Sequence, residues 1–291
     1  MSLADLHSRY SQVDEALQEY LERFVAADSA WLLLQTLLTG ARRRKQVERL
    51  PADAGLRWLD AGAGFGALAF DAACSAPREV VVVDVDRQML EAGAHIRDRL
   101  RERGVLQGDV TFVEADIMDL PFSADSFAVV SARFLFQHLT RPIDAAHEVA
   151  RVLQSGGYAY VVDVDDQFAV TYPPSDAYDR LSAAFCALQA ARGGDRFVGR
   201  KLAHLLGSAG LSIREATADA AACAAPDLPD DLARTFALLR LDQARADMHA
   251  HGILDAGEFD RLRADFAADR AALRFQSNAE VIVIGQKPTA G

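Results

Sequence analysis

A strand that runs directly into a glycine-rich turn constrains this chain more than any other segment. Residues 57–61 have the composition of a buried strand, and a segment of helical composition follows the turn at 62–66. Gly62 and Gly64 have no Cβ, so they can adopt left-handed backbone angles and let a ligand approach the main chain closely. The free N–H groups of the following helix would point at that ligand. The pattern predicts a site for a nucleotide-like cofactor, although this spacing, ending in Ala67, also matches the loose dinucleotide motif.

Three further strand-like segments each lead into polar residues. Four consecutive valines precede Asp84, residues 110–114 lead to Asp116, and residues 126–131 lead to Arg133. The carboxyl ends of parallel strands meet at one edge of an open α/β sheet, and ligands bind in the crevice outside that edge. We therefore expect these side chains to share one site, in which the two oxygens of Asp84 can accept both hydroxyls of a ribose.

A series of linked motifs, taken in chain order, resembles the class I S-adenosylmethionine-dependent methyltransferases, and in particular their small-molecule branch. The motifs occupy residues 59–66, 83–90, 114–117, 119–127, 134–139 and 151–157. The resemblance covers residues 57–164 in firm register. It implies an α/β fold with a Rossmann-like seven-stranded sheet, six strands parallel and the last antiparallel, and helical lid additions. It also implies S-adenosyl-L-methionine as cofactor and S-adenosyl-L-homocysteine as product.

The resemblance implies roles for individual positions. Asp60 and the glycine turn would hold the methionine part of the cofactor, Asp84 the ribose, and Asp116 the exocyclic amine of adenine. Arg133 lies where the family places a residue near the methionyl carboxylate or sulfonium, and its guanidinium can fork onto a carboxylate. The cofactor-binding positions implied in this way are Asp60, Gly62, Ala63, Gly64, Gly66, Asp84, Val85, Met89, Asp116, Ile117 and Arg133.

Adenine would lie between Val85 and Met89 on one face and Ile117 on the other. Two of the carboxylates have simpler interpretations that the sequence leaves open. Asp84 can instead be the cap of the following helix, and Asp116 can begin a turn.

Asp60 separates two classes of cofactor. A carboxylate at this position repels the pyrophosphate of a dinucleotide, so it favours a zwitterionic methionine. Ala128 stands where family members often carry Asp, and Gln154-Ser155 replaces the usual Lys-Pro, but neither departure changes this interpretation. A nicotinamide dehydrogenase is the alternative that predicts binding of a dinucleotide.

Composition limits the classes of partner. The chain has 291 residues, of which 51% are hydrophobic, and a formal net charge of −11. So acidic a chain is a poor match for nucleic acid, whose phosphates require a positive surface. The basic run 42–45 is expected to be one exposed face of a helix. No run of about 18 apolar residues suggests a membrane span, and three cysteines, at 74, 186 and 223, fit a reducing cytoplasm without disulfides.

Helical segments flank the core. Apolar residues recur at spacings of three and four between Leu3 and Phe24, which predicts an amphipathic helix, and two more helices precede the first strand. The expected division is an N-terminal helical cap at 1–50, a cofactor-binding core at 51–165, a helical insertion at 166–198, and a C-terminal part at 199–291 with a two-helix insertion at about 226–275. These helices are expected to form a lid over a small-molecule substrate. A homodimer interface is a second interpretation, compatible with the first.

Methyl transfer from a sulfonium is an in-line displacement, so orientation of the acceptor under a water-excluding lid contributes most, roughly 7–11 kcal/mol at best. If the acceptor is a hydroxyl, a general base helps, and His138 is the best candidate. The competing interpretation is that His138 bonds a nearby backbone carbonyl. Tyr172 is a second candidate for the catalytic pocket, and it is as readily explained by packing.

We assign no metal site, because the acidic residues 163, 165 and 166 simply end the fifth strand and the histidines 249 and 251 lie near a helix end. Two functions remain. The first is methylation of an O, N or C atom of a small metabolite, as in secondary metabolism. The second is a protein that keeps the fold and the cofactor but acts as a non-methylating cyclase or another biosynthetic enzyme.

Overall fold

The computed structural model describes residues 3–24, 30–50, 56–224, 232–269 and 274–289. These ranges form ten α-helices and eight strands, joined by short turns and 3₁₀ segments. The helices are α1 (Leu3–Phe24), α2 (Ala30–Leu38), α3 (Gly40–Glu48), α4 (Ala67–Ser75), α5 (Arg87–Glu102), α6 (Pro142–Val152), α7 (Asp176–Ala191), α8 (Leu202–Ser208), α9 (Leu232–Ala250) and α10 (Ala256–Ala268). The strands are β1 (Arg57–Ala61), β2 (Glu79–Asp84), β3 (Asp109–Glu114), β4 (Phe127–Arg133), β5 (Leu153–Val164), β6 (Val170–Tyr172), β7 (Ser212–Ala224) and β8 (Phe275–Gln286).

The sheet has the predicted Rossmann-like arrangement with one addition. Strands β3, β2, β1, β4 and β5 are neighbours in that order and run parallel. The last strand, β8, lies between β5 and β7 and is antiparallel to both. The addition is β6, a three-residue strand that pairs with the start of β8. It lies on the same edge of β8 as β5, which pairs with the later residues of that strand. The sheet therefore has eight strands rather than the seven expected. The sequence did not predict β6, because a strand of three residues is too short to show an alternating pattern.

Both faces of the sheet are buried by helices. Trp58, Val80 and Val82 lie on the face covered by α1, α4 and α5. Leu59 and Val81 lie on the opposite face, which α6 and α8 cover. Burial on both faces explains why the strands read as nearly continuous apolar runs rather than as alternating ones.

The N-terminal helix packs along the core rather than over the strand ends. Its buried residues Tyr10, Val13 and Leu17 face α4 and α5, and Glu19 accepts a hydrogen bond from Arg103 at 2.6 Å. Of the helices that follow it, α3 packs on α4 and α2 contacts α9. The amphipathic pattern of this segment therefore reflects packing against the cofactor-binding core.

The expectation that Arg42 to Lys45 form one exposed face is wrong. Arg43 is 1% exposed, and its Nε donates to Asp71 at 2.6 Å. Arg42 donates to Glu280 at 3.3 Å. Successive residues of a helix point about 100° apart, so four in a row cannot share one face, and here two of them reach inward.

The helices α7, α9 and α10 form a cluster with its own core. Buried side chains from all three meet in it, among them Leu181, Met248, Phe259 and Phe266. The two helices predicted within about 226–275 are therefore α9 and α10, although residues 226–231 and 270–273 lie outside the described ranges.

Within the described ranges, no helix is both long and apolar enough to cross a membrane. The same ranges contain no group of three or more His, Cys, Asp or Glu side chains that could hold a metal ion. Cys74 and Cys186 are free thiols, and the side chain of Cys223 lies outside the described part of the chain.

Candidate active site

The turn after β1 is held in left-handed backbone conformations. The φ angles of Gly62, Gly64 and Gly66 are 62°, 55° and 84°. A Cβ added at Gly62 would lie 2.5 Å from Leu135 Cδ1, whereas a Cβ added at Gly64 would meet no atom within 4 Å. The turn is therefore closely packed at its first glycine and open at its second, which leaves the main chain at Gly64 accessible to a ligand.

Asp84 ties this turn to the neighbouring strand. Its Oδ2 accepts from the Gly64 N–H at 2.7 Å, and its Oδ1 accepts from the Asp86 N–H at 2.9 Å. The cap of α5 is Asp86, whose carboxylate accepts from the N–H groups of Gln88 and Met89. The helix-cap interpretation of Asp84 is therefore wrong. Each Asp84 oxygen still has a free lone pair for a ribose hydroxyl.

Asp60 is a buried carboxylate that is only half satisfied. Its Oδ1 accepts from Ser131 Oγ at 2.6 Å, and Ser131 in turn accepts from Trp58 Nε1 at 2.7 Å. Its Oδ2 is buried and has no hydrogen-bond partner among the described residues. Burial raises the pKa of Asp60 to about 7, against the opposing effects of Ser131 and the nearby N–H of Ala69. A cationic donor beside Oδ2 would remove this penalty.

Arg133 supplies the complementary charge. Its Nη2 donates to Glu280 at 2.8 Å, its guanidinium lies 4.0 Å from the centroid of the Phe134 ring, and its Nε is buried without a hydrogen-bond partner among the described residues. Burial lowers the pKa of Arg133, while Glu280 opposes that shift. The Arg133 charge also favours the ionised form of Asp60. One unsatisfied acceptor and one unsatisfied donor therefore fit the ammonium and carboxylate of a methionine.

The residues expected around adenine lie at the ends of β2 and β3. Val85 is 67% exposed, Met89 is half-buried, and Ile117 is buried in the core of the α6 face. Asp116 is exposed, and its Oδ1 accepts from the Met118 N–H at 2.9 Å. Asp116 therefore does begin a turn, and its second carboxylate oxygen is left for a ligand.

A cavity of about 530 Å³ lies between α2, α7, α9 and the ends of β4, β5 and β8. Its aromatic lining includes Phe134, Tyr178, Phe185 and Phe236, and Glu280 also lines it. Because Phe134 and Glu280 both contact Arg133, the cavity borders the residues that fit the methionine. A second cavity of about 400 Å³, between α7 and α10, lies away from the strand ends, and we do not assign it to the site.

His138 and Tyr172 do not line the larger cavity. The Gln189 amide donates to His138 Nδ1 at 2.8 Å, in place of the backbone partner that the sequence suggested. Although part of the residue is exposed, desolvation and three neighbouring arginines lower the pKa of His138 to about 4. Tyr172 is 65% exposed on β6, and its neighbour Thr171 lines the cavity. A catalytic role for either residue stays a prediction.

The sequence did not identify Ser131, Glu280 or Arg240 as site residues. Glu280 had a signal, since it is an acid inside the otherwise apolar segment 279–285. It is 3% exposed, and Arg42, Arg133 and Gln46 all donate to it. Ser131 and Arg240 had no signal, because only the folded chain brings them to Asp60 and to the cavity.

Comparison with known proteins agrees with this geometry. The family described as Methyltransferase domain matches residues 59–161. The ubiquinone/menaquinone biosynthesis C-methyltransferase UbiE of Pseudomonas putida is 32% identical over 190 residues, which cover 62% of this chain and 72% of that enzyme.

Two solved structures show the same fold. The [4+2]-cyclase SpnF has a TM-score of 0.54 at 22% identity, covering 87% of this chain and 83% of that one. Phosphoethanolamine N-methyltransferase 2 of Haemonchus contortus, in complex with S-adenosyl-L-methionine, has a TM-score of 0.53 at 17% identity, covering 94% and 60%.

The chain belongs to the class I S-adenosylmethionine-dependent methyltransferases. It is therefore a methyltransferase, and its cofactor is S-adenosyl-L-methionine. When bound, that cofactor supplies an electrophilic methyl group on a sulfonium. Asp60 and Arg133 are the residues whose unsatisfied atoms fit its methionine part.

Proposed function

We propose that this enzyme methylates an O, N or C atom of a small molecule held in the cavity between α2, α7 and α9. The supporting observation is that Phe134 and Glu280 both line the cavity and contact Arg133. The guanidinium of Arg133 lies 4.0 Å from the centroid of the Phe134 ring, and its Nη2 donates to Glu280 at 2.8 Å. One guanidinium thus borders both the cavity and the proposed methionine site. A substrate in the cavity would be next to the cofactor without any rearrangement of the sheet.

The protein's contribution to such a reaction is orientation and exclusion of water. The cluster of α7, α9 and α10 has a packed core of its own, so it can cover the cavity as a preformed wall. The aromatic side chains on the cavity side give it apolar surface beside the charged residues that also line it. Holding an acceptor atom in line with the methyl group under this cover supplies most of the rate enhancement that the displacement needs.

The cavity lining and the relatives together support an aromatic substrate. Phe134, Phe185, Phe236 and Tyr178 offer ring faces and edges to a planar molecule. The relative from Pseudomonas putida is, by its name, a C-methyltransferase of ubiquinone and menaquinone biosynthesis. We therefore place quinols and phenols first among acceptors, with carbon and oxygen as the acceptor atoms.

The test is methyl transfer from cofactor labelled in the methyl group. The purified protein is incubated with a panel of quinols, phenols and aromatic amines, and both labelled product and S-adenosyl-L-homocysteine are measured. For at least one class of compound in the panel, we expect one methyl group in the product for each S-adenosyl-L-homocysteine formed. Substrate conversion with bound cofactor and no methyl loss would instead support a cyclase-type reaction. The likeness to SpnF shows the fold alone and carries no weight for that alternative.

Homodimer formation stays a prediction. The exposed apolar side chains Phe168, Val170 and Tyr172 lie together on and beside β6 and offer one surface for it. Light scattering coupled to size exclusion would give the mass of the particle. A change of Val170→Lys should convert a dimer on this surface to a monomer without altering cofactor binding.

A further inference from the structure

Three arginines line the larger cavity, and two of them are neutralised by ion pairs. Arg42 donates to Glu280 at 3.3 Å. Arg196 binds Asp166 through both of that residue's oxygens, at 2.7 Å each. The third, Arg240 on α9, forms no hydrogen bond or ion pair with any residue in the described ranges.

The acids around this cavity are already occupied or exposed. Asp166, the acid that most favours the charge of Arg240, gives both of its oxygens to Arg196. Asp165 is held by Arg200 at 2.6 Å. Glu280 accepts from three donors, and Asp179 is an exposed residue of the first turn of α7. The charge of Asp166 therefore acts on Arg240 only without direct contact, and no carboxylate in the described part of the chain forms an ion pair with it.

The guanidinium of Arg240 is also oriented. It lies 3.9 Å from the centroid of the Phe185 ring. The N–H donors of a guanidinium lie in the plane of the group, so one held over a ring face can still reach a ligand as a fork. Burial and the neighbouring Arg196 lower the pKa of Arg240 to about 10, so the group still carries its charge at neutral pH.

We propose that Arg240 binds an anionic group, a carboxylate or a phosphate, on the molecule that the enzyme methylates. This proposal rests on the proposed function, because it assumes that the cavity holds the methyl acceptor. An unpaired cation inside a partly apolar cavity is unfavourable unless a ligand neutralises it, and a planar fork matches the two oxygens of such a group.

The position of Arg240 orients the substrate. Arg240 projects from α9, at the helical wall, whereas Phe134 and Glu280 lie at the strand ends beside Arg133. An acceptor anchored through its anion at the helical wall would present its opposite end to the cofactor. Among the quinols and phenols placed first above, those that also carry a carboxylate or a phosphate are therefore the expected substrates.

Binding of small anions tests this without knowledge of the substrate. The probes are benzoate and phenyl phosphate, with benzamide as the uncharged match for benzoate, measured by calorimetry and thermal unfolding. The variants are Arg240→Gln, which removes the charge, and Arg240→Lys, which keeps the charge without the fork. Arg245→Gln is the control, because Arg245 lies on the same helix but is exposed and paired with Asp260 at 2.7 Å.

We expect benzoate or phenyl phosphate to bind the wild type and Arg245→Gln, and to bind Arg240→Gln about ten- to a hundredfold more weakly, as expected for loss of a charged hydrogen-bond partner. Arg240→Lys should retain part of the affinity, and benzamide should not distinguish the variants. Whichever of benzoate and phenyl phosphate binds the wild type more tightly indicates whether the site prefers a carboxylate or a phosphate.

Equal anion affinity in Arg240→Gln and wild type, or no anion binding to the wild type, would overturn the proposal. S-adenosyl-L-homocysteine is added to each variant as a separate arm. Intact binding of that compound with no anion effect refutes the role of Arg240 alone. Absence of S-adenosyl-L-homocysteine binding in the wild type as well as in every variant would instead refute the proposed function.

Discussion

The half-satisfied carboxylate of Asp60 predicts that cofactor binding depends on pH. Burial raises the pKa of this group from 3.8 to about 7. At 1.36 kcal/mol for each unit, ionising Asp60 in the empty site costs ~4 kcal/mol more than in the unfolded chain. Because the folded pKa is the higher one, the folded state loses stability as pH rises from about 4 to about 7, and the loss is constant above that.

An ammonium bound beside Oδ2 favours the ionised form, so the cofactor binds best when Asp60 is already ionised. With a pKa of about 7 in the free protein, the ionised fraction rises about fivefold from about pH 6 to about pH 7. The affinity for S-adenosyl-L-homocysteine, which keeps the ammonium, should rise by the same factor. At about pH 7 binding should release roughly half a proton.

The assay is titration calorimetry with S-adenosyl-L-homocysteine at several pH values, repeated in buffers of different ionisation enthalpy to count protons. Asp60→Asn should bind more weakly and show neither the pH dependence nor the proton release. Its unliganded form should be more stable than wild type above about pH 7, because no buried charge forms. Asp163→Asn is the matched control, since burial also raises the pKa of Asp163 to about 7 but its carboxylate binds main-chain N–H groups.

A wild-type affinity that is constant from about pH 6 to about pH 7 would refute this reasoning, and so would the same pH dependence in Asp60→Asn. The first result would show that Asp60 is ionised in the free protein. The second would show that another group, with Asp163 the first to examine, carries the effect.

Three further predictions concern the turn and the proposed base. Asp84→Ala should weaken S-adenosyl-L-homocysteine binding about ten- to a hundredfold while the protein stays folded, and unchanged affinity would show that the ribose has been misplaced. Gly64→Ala and Gly104→Ala, whose added Cβ would meet no atom within 4 Å, should each lose about 1–2 kcal/mol in denaturant unfolding, and Gly62→Ala should lose more, because its Cβ would lie 2.5 Å from Leu135. Only Gly64→Ala should have weaker cofactor binding as its main effect, and equal binding by Gly64→Ala and Gly104→Ala would contradict this. The base hypothesis for His138 predicts that His138→Ala loses about a hundredfold or more in kcat, and a loss of only a few-fold would leave the ring with its Gln189 hydrogen bond alone.

Local sequence signals predicted the parts of the fold that local chemistry determines. The helix of the predicted insertion at 166–198 is α7, and Ser175 caps it by accepting from the Tyr178 N–H. The parallel strands were found because burial on both faces makes them apolar runs. The alanine-rich end of β7, which extends to Ala224, is a strand only through pairing with β8, so local sequence does not predict it.

The residues of the site also fall into a part that the sequence predicts and a part that only the structure reveals. The cofactor positions at strand ends follow from the glycine turn and the order of the strands, which the sequence contains. Arg240 and the cavity depend on how α9 packs against α7 and α2, and helical periodicity says nothing about which helix lies opposite which. Arg240 and the cavity could therefore be identified only in the folded structure.

Glu280 joins these two parts of the site. Its Oε1 accepts from Arg133 and from Arg42, and its Oε2 accepts from Gln46 at 2.7 Å. A buried carboxylate shared by two guanidinium groups holds both in place, because removal of the acid would leave two cations uncompensated in the interior. Since Arg133 borders the proposed methionine site and Arg42 lines the cavity from α3, the position of one depends on the other. We infer that the N-terminal helices help to align the cofactor with its substrate through this single carboxylate.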